Sequence, residues 1–217
     1  MKLLLFGAPG SGKGTQAEFL KARYGIPQIS TGDILRAERR AGTELGRRAQ
    51  EYMDKGLLVP DEIMIGIIRK RLREPDCERG FMFDGFPRTV PQAEALDAIL
   101  AEMGRRFDRV LYLKAPPEEL VARLAGRLTC PACGRTYHPV FNPPAAGNKC
   151  LLDGTELVQR TDDTEEVARE RVNVYLTETL PVLDFYRARG LVTEIDAMAS
   201  IEDVRTQIER AVEERAA

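Results

Sequence analysis

"KLLLFGAPGSGKGTQ", residues 2–16, sets a short apolar run against a glycine-rich turn that closes on a lysine. The run "KLLLF" (2–6) has the length and continuity of a strand covered on both faces. The turn "GAPGSGKGT" (7–15) leads into a helix expected from about Lys13 to Arg23. A strand, a glycine turn, a lysine and a helix in that order are the setting in which such a loop holds phosphate. Glycines let the backbone curl so that successive N–H groups point inward, and the helix N-terminus adds partial positive charge. Lys13 is placed to reach β- and γ-phosphates. The standard loop has Ser or Thr directly after the lysine; here that position is Gly14 and the hydroxyl follows at Thr15. The shift weakens a direct role for Thr15 on Mg²⁺.

Working outward, the same alternation continues. "PQIS" (27–30), "GFMFD" (80–84), "RVLYL" (109–113) and "VTEI" (192–195) read as four more short strands. Between them "DEIMIGIIRKRL" (61–72) and "PQAEALDAILAEM" (91–103) show helical periodicity, with Pro91 in a first turn. A long helix is expected over 164–190, ending near Gly190 and kinked by Pro181. Strand–helix alternation of this kind predicts an α/β fold, a doubly wound parallel sheet of five strands. Two stretches leave the alternation. Residues 30–59 are helical and polar, and residues 127–163 are rich in Cys, Pro, Gly and Asn. Both are expected as lobes inserted at the rim of the sheet, where ligands bind in this architecture.

The bulk numbers agree with one globular unit. In 217 residues, 43% are hydrophobic and 30% charged, enough for a substantial core. A net charge of −2 suggests no polyanion-binding surface, although local clusters of arginine could still matter. No export signal opens the sequence and no run approaches the roughly 18 apolar residues of a bilayer span. A cytoplasmic protein is expected, its thiols reduced. Three of its four cysteines lie within 21 positions, which favours metal over disulfide.

The arginines form the second signal. "FMFDGFPRTVPQ" (81–92) ends a strand in Asp84, where a carboxylate can organise Mg²⁺ and its waters. Gly85 lets a ligand approach the backbone, Arg88 points where a phosphate would lie, and Gln92 follows one turn on. "STGDILR" (30–36) contributes Thr31 and Arg36. "RLAGR" (123–127), "QRTDD" (159–163) and "ARERV" (168–172) add Arg123, Arg127, Arg160 and Arg171. Each taken singly is an ordinary surface arginine or cap. Converging on one cleft, they would be costly without an anion.

"CPACGRTYHPVFNPPAAGNKCLLDG" (130–154) gives C-x2-C-x16-C-x2-D, a zinc-ribbon spacing with oxygen in the last place. Zn²⁺ accepts carboxylate as well as thiolate in a tetrahedral site. His138 is the rival fourth ligand; five residues after Cys133 and followed by Pro139, it fits poorly with a knuckle at 150–153, and Asp153 is favoured. An inserted lobe of this size cannot hold itself together by burial alone. The metal would be a structural staple, and Cys77 an incidental thiol.

The chain resembles adenylate kinase over essentially its whole length. "GAPGSGKGTQ", "ISTGDILR", "DGFPRTVPQ", the Gly126–Arg127 pair ahead of the cysteine knuckle, and "QRTDD" stand in that family's order and spacing. The resemblance implies a P-loop NTPase type of fold with a core of 1–29, 60–126 and 164–217, an AMP-binding lobe at 30–59 and a zinc-binding lid at 127–163. It implies Mg²⁺-dependent, reversible transfer of a phosphoryl group from ATP to AMP, giving two ADP. Gly10, Ser11, Gly12, Lys13, Gly14 and Thr15 would hold the ATP phosphates, with Arg123 and Arg127 clamping from above. Thr31, Arg36, Leu57, Leu58, Val59, Gly85, Phe86, Pro87, Arg88 and Gln92 would hold AMP, with a cis peptide at Pro87. Arg160 and Arg171 would bridge the two phosphate chains, and Lys13, Asp84, Arg88, Arg123, Arg160 and Arg171 would carry catalysis. Long-lid members use the three-cysteine layout with Cys or Asp last, so Cys130, Cys133, Cys150 and Asp153 would bind structural zinc. Lid closure over both nucleotides, as known for adenylate kinase, would exclude water.

Two rivals remain. One is a kinase of another nucleoside monophosphate, UMP or CMP, since base choice rests on few contacts. The other is a nucleic-acid-binding protein with a zinc ribbon and an ATPase core. Against the second, residues 130–153 hold only Arg135 and Lys149 as cations and no aromatic-interleaved basic run. The expected partners are ATP, AMP and ADP, with no nucleic acid and no membrane. No apolar stripe is left unassigned, which points to a monomer.

Overall fold

The computed structural model describes residues 1–214; the end of the expected core segment, 215–217, lies outside the described residues. The chain runs β1 (Lys2–Phe6), α1 (Lys13–Tyr24), β2 (Gln28–Ser30), α2 (Thr31–Arg40), α3 (Glu44–Met53), α4 (Asp61–Arg71), β3 (Phe81–Asp84), α5 (Val90–Glu102), β4 (Arg109–Lys114) and α6 (Pro117–Ala125). A small hairpin of β5 (Leu128–Thr129) and β6 (Thr136–Tyr137) follows. The last elements are α7 (Glu165–Val174), a π-helical turn (Tyr175–Thr179), α8 (Pro181–Arg187), β7 (Val192–Asp196) and α9 (Ile201–Glu213).

Among the described residues the main sheet has five strands in the order β2-β3-β1-β4-β7, all parallel. The alternation of side chains explains why β1, β3 and β4, the three central strands, read as continuous apolar runs. Leu4, Phe6, Phe81, Phe83, Val110 and Tyr112 face one core, built with α4, α5 and α8. Leu3, Leu5, Met82, Leu111 and Leu113 face the other, built with α1 and α9. Both faces are covered, as expected of a doubly wound sheet.

Register places the chemistry. Leu5 pairs with Asp84 across β1 and β3, and Ser30 pairs with Asp84 across β2 and β3. Three strands therefore end at one level, and the loops that follow them open beside one another at the carboxyl edge of the sheet.

The expected single helix over 164–190 is instead three segments. Leu180 donates its N–H to the Tyr175 carbonyl five residues back, at 2.8 Å, which widens the turn ahead of Pro181. Proline has no N–H, and its ring would collide with the carbonyl four residues earlier in a regular helix; the π turn relieves both. Among the described residues no helix is long and apolar enough to cross a membrane.

Candidate active site

The loop after β1 is shaped by backbone that side chains would block. Gly7 has φ +147°, and a Cβ there would lie 2.6 Å from the Leu113 carbonyl oxygen. At Gly10, with φ +86°, a Cβ would lie 2.9 Å from the Leu120 carbonyl. Gly12 caps α1 with no side-chain bond, so the first N–H groups of the helix remain available to an anion. Lys13 donates from Nζ to the carbonyl oxygens of Gly7 and Ala8, both at 2.8 Å, folding back over its own loop. Solvent still reaches Lys13 through the cleft, but protein surrounds it. Burial pushes its ammonium down to about 8; Asp84 pulls the other way, and Arg88, Arg127 and Arg171 push further down.

The arginines converge as the motifs suggest. Arg88 donates from Nε to the Gly85 carbonyl at 2.7 Å, and burial, then Arg171, press its guanidinium down to about 10. Arg160 donates to Thr129 Oγ1 at 3.0 Å and is pushed to about 9 by burial, then by Arg127 and Arg36. Burial likewise lowers Arg171. These groups stay charged near neutral pH, so the shifts measure a shared demand for negative charge. Part of it is met internally. Arg127 makes a two-point pair with Asp163, at 2.8 and 2.6 Å, and Arg171 Nη1 reaches the same carboxylate at 2.7 Å. For Asp162, burial would raise the carboxyl, but Arg171, Arg36, Arg127 and Arg160 together hold it below the usual range. Sequence alone assigns Asp162 and Asp163 no role; the available signal is their place two and three residues after Arg160.

Two cavities adjoin at this edge, of about 510 and 60 Å³. The larger is walled by Gly10 to Thr15, Asp84, Pro87, Arg123, Arg127 and Arg160. The smaller is walled by Thr31, Leu57, Val59 and Gln92. Arg36, Leu58, Gly85, Phe86, Arg88 and Arg171 line both. Every residue expected to touch a nucleotide thus lies in one wall or the other. The Phe86–Pro87 peptide is cis. Thr31 donates from Oγ1 to the Gly85 carbonyl at 2.9 Å, and Gln28 donates to Asp84 Oδ2 at 2.9 Å. Gln92 is bonded to Asp61, another residue the sequence reading did not single out.

The segment expected as a lid, 127–163, carries a four-donor cluster. Among the described residues Cys130, Cys133, Cys150 and Asp153 bring one ligand atom each to within 4.8 Å of the others. The Cys133 and Cys150 sulfurs are 3.6 Å apart, and Cys130 Sγ is 3.4 Å from Asp153 Oδ2. A tetrahedron with zinc–sulfur bonds of about 2.3 Å has edges of about 3.8 Å, so this donor set fits zinc. Tyr137 accepts from the Leu151 N–H at 2.9 Å and lies 3.2 Å from Cys150 Sγ, which orients that ligand from behind. His138 is elsewhere: its Nδ1 accepts from the Val140 N–H at 3.1 Å, and its ring packs on Phe141. The apolar core of this segment is small, Cys130, Tyr137, Cys150 and Leu157 with Leu128 against them. The same segment also touches α1, where Arg135 Nε lies 3.1 Å from Glu18 Oε2.

Comparison with known proteins meets this geometry. The adenylate kinase family model matches residues 5–191. An adenylate kinase of Archaeoglobus fulgidus is 52% identical over 213 residues, covering 98% of both chains. One of Methanosarcina barkeri is 54% identical over 208 residues, 96% of both, and one of Lysinibacillus sphaericus 52% over 204 residues, 94% of both. Likeness of this depth, running from the glycine loop through the arginines and the cysteine cluster, has one reading: the chain belongs to the adenylate kinase family.

Proposed function

We propose that the protein is an ATP:AMP phosphotransferase, moving a phosphoryl group reversibly from MgATP to AMP to give two ADP, and that it serves adenine-nucleotide balance. The observation that carries this reading is the junction of the two cavities, where Arg36, Arg88 and Arg171 line both. The larger cavity suits the nucleotide whose phosphates lie on the glycine loop, and the smaller suits the acceptor. The core then comprises 1–29, 60–126 and 164–217, with 30–59 as the acceptor lobe and 127–163 as the lid.

The residues have little covalent work to do. Phosphoryl transfer is mostly positioning plus stabilisation of charge spread over the moving group. The acceptor oxygen of AMP is already ionised near neutral pH, so no general base is needed. Gly10 to Thr15 bind the donor phosphates through backbone N–H groups and the α1 terminus. Lys13 follows the transferring group. Arg88 and Arg36 hold the acceptor phosphate; Arg123 and Arg127 close on the donor; Arg160 and Arg171 span the two. Arginine suits these places because its fork is permanently charged and matches phosphate geometry. Thr31 and Gln92 face the acceptor base, with Leu57, Leu58 and Val59 beside it. Magnesium, carried with ATP, would supply positive charge to offset that of the phosphates, and Asp84 is the carboxylate that would hold it. Zinc held by Cys130, Cys133, Cys150 and Asp153 would give the lid its rigidity, and the closed lid keeps water from competing with AMP.

A monomeric, cytoplasmic enzyme that acts on ATP, AMP and ADP follows from this reading. A coupled assay with ATP, Mg²⁺ and, in turn, AMP, UMP, CMP and GMP tests it. Fast turnover with AMP alone is the expected result; a preference for a pyrimidine nucleotide, or no transfer to any of them, would overturn it.

A further inference from the structure

We infer that Asp61 fixes which way the Gln92 side-chain amide faces, and thereby makes the acceptor site select a 6-aminopurine over a 6-oxopurine. This rests on the acceptor role proposed for the smaller cavity. Asp61 lines neither cavity, so it acts through Gln92 as a positioning residue.

Gln92 is 1% exposed and lies in the wall of the smaller cavity. Its Oε1 accepts the Arg88 N–H at 2.8 Å, and its Nε2 donates to Asp61 Oδ1 at 2.6 Å. Both ends therefore specify one orientation. Turning the amide by half a turn would set N–H against N–H at Arg88 and oxygen against carboxylate oxygen at Asp61. Asp61 is itself held. Thr89 donates from Oγ1 to Asp61 Oδ2 at 2.9 Å, and Asp61 opens α4, where the helix field favours an anion.

Once these bonds are made, an amide retains one hydrogen on Nε2 and one lone pair on Oε1. That remainder is an acceptor beside a donor. Adenine offers a donor at its 6-amino group and an acceptor at N1, the complementary order. A 6-oxopurine offers an acceptor at O6 and a donor at N1–H, the reverse. A locked amide meets the second with like facing like. A free amide could turn and accommodate either. Sites that hold a polar group in one sense discriminate strongly between such analogues.

The test compares kcat/KM for AMP and for IMP, with ATP saturating, in the wild-type protein, Asp61→Ala and Asp61→Asn. The wild type should strongly prefer AMP. Asp61→Ala should lower the AMP-to-IMP ratio roughly ten- to hundredfold, the worth of a hydrogen bond to a charged group, with KM for ATP unchanged. Asp61→Asn, which keeps an oxygen for Gln92, should restore most of the ratio. A folded Asp61→Ala protein with the wild-type ratio would overturn the inference while leaving the phosphotransfer reading intact; a wild-type protein that does not use AMP would overturn that reading instead. An arm that needs neither turnover nor a variant is the NMR signal of the Gln92 side-chain amide in the wild-type protein. Slow exchange with solvent is expected, and rapid exchange would refute the lock.

Discussion

Arg127 and Asp163, which bracket the cysteine-rich segment 127–163, are joined by a two-point ion pair at 2.8 and 2.6 Å. The carboxylate is fully buried and also takes Arg171, so it ties both ends of that segment to α7. Replacing Asp163 with Asn removes the charge while keeping the shape, and leaves two neighbouring guanidinium groups short of an anion. A loss of about 3 kcal/mol or more in unfolding free energy is expected, read by chemical denaturation. A change below about 0.5 kcal/mol, the level of an ordinary surface substitution, would show that the pair does not hold the ends of the segment.

Arg88 sits where the two cavities meet, bonded only to the Gly85 carbonyl among its side-chain contacts described above. Its replacement by alanine should lower turnover by about 10²–10³, the cost of one charge-assisted donor at a reacting group. Circular dichroism should stay unchanged. A folded variant with near-normal turnover would remove Arg88 from the proposed role.

Lys13 gives a pH signature. Burial sets it near 8 in the ligand-free protein, below its ordinary 10.5. As pH rises through about 8, the free protein loses the ammonium that meets phosphate, so kcat/KM for ATP should fall. Phosphate beside the lysine opposes that loss, so kcat, which reports the complex, should hold to higher pH. Stability moves the other way. Below pH 8 the folded state bears the full cost of enclosing the charged group. Between about 8 and 10.5 the unfolded chain binds more protons at this residue, so its contribution to stability rises with pH. Lys13→Met should remove that rise; equal pH–stability curves for the two proteins would contradict it.

The cysteine cluster predicts one zinc per chain by elemental analysis. Asp153→Ala should reduce it sharply, and His138→Ala should leave it intact, because His138 bonds to the Val140 and Phe141 amides and lies outside the cluster. Chelation should lower the melting temperature of the native protein and expose the lid to protease. Metal-free protein with an unchanged melt would mean the cluster is not a staple.

Much of the fold could be read ahead because its signals are local. The three central strands are short apolar runs ended by glycine or charge, and "KLLLF" or "RVLYL" needs no partner to be recognised; the edge strands β2 and β7 carry a weaker pattern, Gln-Ile-Ser and Val-Thr-Glu-Ile-Asp. The loop at Gly7 and the arginines were legible for a different reason: they carry chemistry at fixed spacing, and the parallel register then brings them to one edge. What escaped depends on distant contact. Asp61 is one acid in "PDEI" until α5 brings Gln92 to it, 31 residues on. Asp163 is one of a pair of acids in a polar loop until Arg127 crosses 36 residues to meet it. The π turn at Tyr175–Thr179 has no residue code of its own; Pro181 announced a disturbance but not its form.

The clasp between Glu18 and Arg135 lies at the surface, with 43% and 37% of the two side chains accessible. Exposed pairs of this kind are weak and fade as electrolyte is added. On the proposed closure of 127–163 over the nucleotides, brine should therefore shorten the time the enzyme spends shut, letting products escape sooner while catching donor nucleotide less well. The tempo of the molecule would then be tuned from outside, by the ions in the water that bathes it.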